Sequence, residues 1–169
     1  MAIVAGDIKL YLSGGGANSD PNAALGGAIS STEVTDNTLH NLFDKVTGAE
    51  GLAGDTEYRC IYVKNTHGSL TLESAKVWVQ TNTPSGDSAI AIALGGEGEN
   101  GTAETIADES TAPSGESFSA PVDYANGLSL GDLDAGNSYP IWVRRTITAS
   151  AAAYDDDSVV LGIQGDTAA

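Results

Sequence analysis

Along most of this chain, apolar residues recur at every second position. No window of useful length repeats them at the i, i+3, i+4, i+7 spacing of a buried helix face, so the pattern predicts an all-β protein. In Asp7-Ile-Lys-Leu-Tyr-Leu, Ile8, Leu10 and Leu12 share one strand face and Lys9 and Tyr11 the other. The glycines and Asn-Ser-Asp-Pro after Ser13 end that strand. From Pro21 to Asp55 small residues dominate, with one apolar patch at Leu39, Leu42, Phe43 and Val46 whose spacing fits a helical turn or two.

The strongest alternation begins at Thr56. Tyr58, Cys60 and Tyr62 take one face and Arg59, Ile61 and Val63 the other, and the turn-forming Asn65-Thr-His-Gly-Ser predicts a hairpin with the next strand, Leu70 to Gln80. In that strand the apolar phase passes from Leu70 and Leu72 to Ala75, Val77 and Val79. One inserted residue, a β-bulge near Glu73-Ser74, accounts for the shift. Ile90, Ile92 and Leu94 then oppose a row of alanines that admits a second layer at close range. Residues 95–126 carry Gly, Glu, Asp, Ser, Thr and Pro without period and read as one long loop. Strands return at Leu128 and Leu130, at Ser138–Thr148 and at Ser158–Gln164.

Short antiparallel strands with frequent turns predict a two-sheet antiparallel β-sandwich over residues 56–169, carrying the loop at 95–126. Residues 1–55 are expected to form an extended N-terminal arm and linker with one strand and a short helical turn. Trp78 and Trp142 lie out of phase with their apolar neighbours, so at least one of them is expected to anchor the core or a subunit contact.

Charge narrows the choice of partner. Seven Lys and Arg face 23 Asp and Glu for a formal net charge of −16, and so few cations cannot neutralise a phosphate backbone or an anionic membrane surface. Nucleic acid and membrane are therefore not expected as partners. No apolar run approaches the roughly 20 residues that span a bilayer, and Met1–Asp7 lacks the basic start of a secretion signal. Cys60 is the single cysteine, so no intramolecular disulfide is available.

Candidate chemistry is sparse. His67 sits in a turn and His40 in the expected arm, and neither has a nucleophile and an orienting group predicted beside it. Cys60 falls on an apolar strand face and reads as a buried hydrophobe. Asp155-Asp-Asp offers oxygens, and Asp132-x-Asp134-x-x-Asn137 opens like a calcium loop, yet the twelfth position is Val143 where such a loop needs Glu. Gly14-Gly-Gly follows a strand, but no Lys-Ser/Thr or helix follows it as a phosphate loop requires. No catalytic residue, cofactor or metal is assigned.

Ile8-Lys-Leu-Tyr-Leu-Ser-Gly-Gly, Asn18-Ser-Asp-Pro-Asn-Ala-Ala-Leu-Gly-Gly, Asn41-Leu-Phe-Asp, Gly54-Asp-Thr-Glu-Tyr-Arg-Cys-Ile-Tyr-Val-Lys-Asn and Ile141-Trp-Val-Arg-Arg together resemble a group of small virion proteins of tailed bacteriophages. The resemblance covers most of the chain outside 95–126. Leu133-Asp-Ala-Gly-Asn before a penultimate strand is similar to the generic immunoglobulin-like sandwich, which specifies a fold and no task. The resemblance implies a non-enzymatic structural role, first as a capsid decoration (cement) protein that binds the outer surface of the head and stabilises it through its N-terminal arm, clamped on the shell. A tail, neck or baseplate component is the second reading and a host-surface or carbohydrate-binding module the third. The implied partners are the major capsid protein or other virion subunits, with further copies of this chain on the particle. The implied location is the virion, assembled in the host cytoplasm. Ile8, Leu10, Tyr11, Leu12, Leu25, Leu42, Phe43, Trp78, Trp142, Arg144 and Arg145 are the expected partner-binding residues.

Overall fold

In the computed structural model, which describes residues 2–167, eleven regular elements carry the fold. They are β1 (Ile8–Ser13), β2 (Gly26–Gly27), β3 (Ile29–Glu33), α1 (Gly48–Ala53), β4 (Asp55–Asn65), β5 (Leu72–Thr81), β6 (Ser88–Leu94), β7 (Ala103–Thr105), β8 (Leu128–Leu133), β9 (Ser138–Ile147) and β10 (Val160–Thr167). A five-stranded sheet in the order β3-β1-β4-β9-β6 faces a three-stranded sheet in the order β10-β5-β8, and every pairing is antiparallel. The all-β sandwich expected from the alternation is present.

The two inner faces make the main core. Leu12, Ile61, Val63, Ile90, Ile92, Ile141 and Val143 from the large sheet meet Leu72, Ala75, Val77, Val79, Leu130 and Leu133 from the small one. These are the phases that period-two alternation assigned. The bulge is also where the phase shift put it. Ser74 takes φ of 51°, the pairing with β8 slips between Leu72 and Ala75, and the Ser74 amide donates to Asp132 Oδ1 at 2.8 Å.

Three expectations need correction. Residues 1–55 are not an arm beside a body: β1 is an internal strand, paired to β4 from Ile8↔Asn65 to Leu12↔Ile61 and to β3 on its other side. Alternating Ile8, Leu10 and Leu12 supply one core face, and burying that face holds the segment in the sheet. The predicted hairpin between β4 and β5 does not form, since β5 pairs with β10 and β8 in the opposite sheet. The turn at 66–71 instead carries the chain across the sandwich. No helical turn forms at Leu39–Val46. The helix lies at Gly48–Ala53, where Thr47 and Glu50 form a reciprocal capping box.

The 95–126 excursion is not a loose loop. It lays β7 against β2 over the outer face of the large sheet, where Ala103, Ile106 and Phe118 cover Cys60, Tyr62, Ala93 and Trp142. Tyr62 Oη fixes this layer, donating to Gly27 O at 2.7 Å and accepting from the Ala103 amide at 3.0 Å. The segment then rounds the β6 edge, where Ser119 and Ile92 exchange backbone bonds of 2.8 and 2.9 Å. Pro121 O accepts from the Val79 amide of the small sheet at 2.8 Å, and Tyr124 meets the Trp78 ring edge-on at 6.1 Å. One side of the sandwich is thereby strapped shut, which protects the β6 edge from further pairing.

Candidate interaction site

Two groupings of polar and aromatic residues lie on opposite faces of the large sheet near the first residues of β4. The inner one is built from alternate positions of paired strands. Glu57 stands directly across from Arg145 and Arg59 across from Val143, so Glu57, Arg59 and Arg145 point toward the core side. Arg145 Nε donates to the Glu57 carboxylate, its Nη1 donates to Asp44 O at 2.8 Å, and its Nη2 lies 3.5 Å from Asp44 Oδ1. Arg59, fully buried, donates to the Glu109 carboxylate and to Asn22 Oδ1 at 3.1 Å. The Phe43 ring lies between the two guanidiniums, 5.5 Å from Arg59 Cζ and 4.7 Å from Arg145 Cζ. Leu42 beside it enters the main core.

Burial pushes the Glu57 carboxyl above its ordinary range, and the Arg145 guanidinium opposes that shift. Oxygens of Asp44, Glu57 and Glu109 lie within 4.8 Å of one another, a spacing that a cation could use. Two guanidiniums already hold those three carboxylates, so the group is an ion-paired knot that closes one end of the sandwich.

The outer grouping is Tyr58, Phe118 and Arg144. Tyr58 and Arg144 are cross-strand partners, and Phe118 meets Tyr58 at 5.4 Å with the rings 61° apart. Arg144 Cζ sits 5.1 Å over the Phe118 ring. Among the described residues no carboxylate pairs with Arg144, whereas Arg59 and Arg145 both have one.

Most of the expected partner-binding residues prove internal. Ile8, Leu10, Leu12 and Leu42 belong to the main core, and Trp142 is 0% exposed beneath the covering layer. Trp78 is 9% exposed, its outer face taken by Tyr124 and Gly162. Arg145 and Phe43 are committed to the charged knot. Leu25 packs under the cover, and Tyr11 lies half-buried with Lys64 Nζ 5.9 Å from its ring. Arg144 is partly accessible, with its guanidinium over the Phe118 ring and no ion pair among the described residues.

The remaining candidates have structural duties. His67 Nδ1 accepts from the Leu70 amide at 2.9 Å and the Ser69 amide at 3.2 Å, capping its turn, and His40 is exposed with φ of 58°. Asp132 takes the Ser74 amide, Asp134 the Thr71 hydroxyl at 2.6 Å, and Asp157 the Ser85 amide and Ser88 hydroxyl. Gly14 and Gly15 border a shallow groove of about 400 Å³ with Leu25 and Ile106, where no charged side chain converges. Burial drives the Cys60 thiol far upward, away from thiolate chemistry.

Sequence reasoning passed over Tyr58, Phe118, Glu57, Arg59 and Glu109 as site residues. The signal for the inner pair was in the strand itself, since Glu57 and Arg59 share the phase of Ile61 and Val63 and a charge on a core face demands a partner. Phe118 carried no such signal, because its segment has no period. Comparison with family models, with curated proteins and with solved structures finds no match to this chain.

Proposed function

We propose that the chain is a non-enzymatic structural component of a tailed-bacteriophage virion, a decoration protein seated on the outer surface of the head beside further copies of itself. One observation carries the reading beyond the sequence resemblance. Two of the seven cations, Arg59 at 0% and Arg145 at 12% side-chain exposure, are held in ion pairs with Glu109, Glu57 and Asp44, so five cations are left for an exterior that stays strongly acidic. A rigid, strapped sandwich with that exterior suits docking onto a basic protein surface, where the field speeds encounter and suppresses wrong partners.

Attachment falls to the body of the sandwich, not to an N-terminal clamp. Deleting residues 1–30 would remove β1 and part of β3, so that truncation tests folding before it tests binding. The decisive experiment is gold labelling of intact particles with an antibody raised against this chain. Label on heads supports the decoration reading, and label on tails moves the protein to the tail, neck or baseplate. Its absence from purified particles by mass spectrometry overturns the virion role.

A further inference from the structure

The outer face of the large sheet changes character in three rows. Cys60, Trp142 and Ala93 form the first across β4, β9 and β6, and all three are buried under the covering layer. Tyr58, Arg144 and Ala91 form the second, and Thr56, Thr146 and Ala89 the third. The cover stops at Phe118, whose ring contacts Tyr58 and Arg144. Beyond it Thr56 and Thr146 are half-buried and Ala89 is exposed, leaving a flat shelf of small side chains at the foot of an aromatic and guanidinium wall.

Arg144 is unusual on this surface. Its Nε is buried with no hydrogen-bond partner, and in a chain with 23 Asp and Glu no carboxylate among the described residues reaches it. A guanidinium held over a ring has lost part of its water and keeps a planar fork of donors that matches a carboxylate. Tyr, Phe and Arg around one desolvated centre are the residue types that anchor protein interfaces.

We propose that this shelf docks a protein partner that presents an Asp or Glu carboxylate to Arg144. The proposal rests on the assembly reading above and names the chemistry of the contact. The acidic exterior selects a partner that is basic elsewhere on its surface, and Arg144 supplies a reversed charge at the shelf that fixes register. A monoanionic carboxylate fits better than a phosphate, because the chain's negative field penalises a dianion about twice as much.

Two measurements test it. In 15N-labelled protein, N-acetyl-aspartate amide is titrated while the arginine Nε–Hε resonances are followed. The expected result is a saturable shift at Arg144 with Arg59 and Arg145 unmoved, no response to N-acetyl-asparagine amide, and at least about tenfold weaker binding in Arg144→Gln. Arg144→Lys, which keeps the charge and loses the fork, should fall between the two. No shift at Arg144, an equal response to the asparagine compound, or an equal response to inorganic phosphate overturns the carboxylate assignment. The second measurement is co-sedimentation of wild type and Arg144→Gln with particles stripped of this protein. Equal binding by a normally folded Arg144→Gln overturns the docking role. Failure of the wild type to bind strikes the virion reading instead, and the titration still decides the Arg144 site.

Discussion

Gly162 of β10 lies flat against the indole of Trp78 on the neighbouring strand β5, so close that a Cβ at 162 would overlap Trp78 Cε2, Cζ2 and Nε1. The glycine is there for want of a side chain, since its φ lies outside the left-handed region. Trp78 is held from the other side by Tyr124, whose hydroxyl donates to Ser74 O at 3.0 Å. A single hydrogen atom at 162 therefore lets the end of the long excursion close over the small sheet.

Gly162→Ala is expected to cost about 1–3 kcal/mol, because the indole must leave its rotamer or β10 must move away from β5. Urea unfolding followed by far-UV circular dichroism should show a lower midpoint at unchanged m. A midpoint equal to wild type would mean that the indole yields without cost.

Tyr62 fastens the covering layer, so Tyr62→Phe should uncouple that layer before it unfolds the sandwich. Losing the hydroxyl strands the buried Ala103 amide, for about 1–3 kcal/mol. Cys60 lies directly beneath, which gives a direct readout. Wild-type Cys60 should resist a thiol reagent such as dithionitrobenzoate, and the variant should react at least about tenfold faster through local opening. Equal rates would place the opening elsewhere.

Buried Glu57 makes stability depend on pH, and Arg145 moderates that dependence. A carboxyl raised in the fold favours the protonated form there, so the stability contributed by Glu57 is fully present below the ordinary glutamate value of about 4.3 and is lost as pH rises through the folded value. Arg145→Gln removes the guanidinium that opposes the shift. Its melting temperature should fall more steeply than wild type between about pH 4 and pH 7, and adding Glu57→Gln should flatten the curve. Parallel curves for wild type and Arg145→Gln would show that the pair does not couple. At neutral pH the single variant should lose about 3–5 kcal/mol, the cost of leaving a buried charge without its partner.

Side-chain phase, a local property, was fully legible in the sequence. Ile61 and Val63 turned inward and Cys60 and Tyr62 outward as the alternation required, and the slip from Leu72 to Ala75 located the bulge. The alanines opposite Ile90 and Ile92 admit a layer in close contact, which Ala103 and Ile106 supply over Ala93 while Ala89 stays exposed. Of the residues expected to bind a partner, the core absorbed Ile8, Leu10, Leu12 and Trp142 and the charged knot absorbed Arg145, whereas Arg144 stays partly accessible on the outer face of the large sheet.

What the sequence determined by itself was therefore the longer strands β1, β4, β5, β6, β8, β9 and β10 with their buried faces, read from residue type at period two, and the acidic composition; β2, β3 and β7 lie in segments without that period. Strand partnership was decided only in three dimensions. An apolar face fits any complementary sheet, and the choice that sent β5 away from β4 and drew β1 into the large sheet depends on which closure buries the most surface together. The path of residues 95–126 was settled the same way. A segment without period cannot announce its face, and it found one because Tyr62, Trp78 and Trp142 offered large side chains that needed covering.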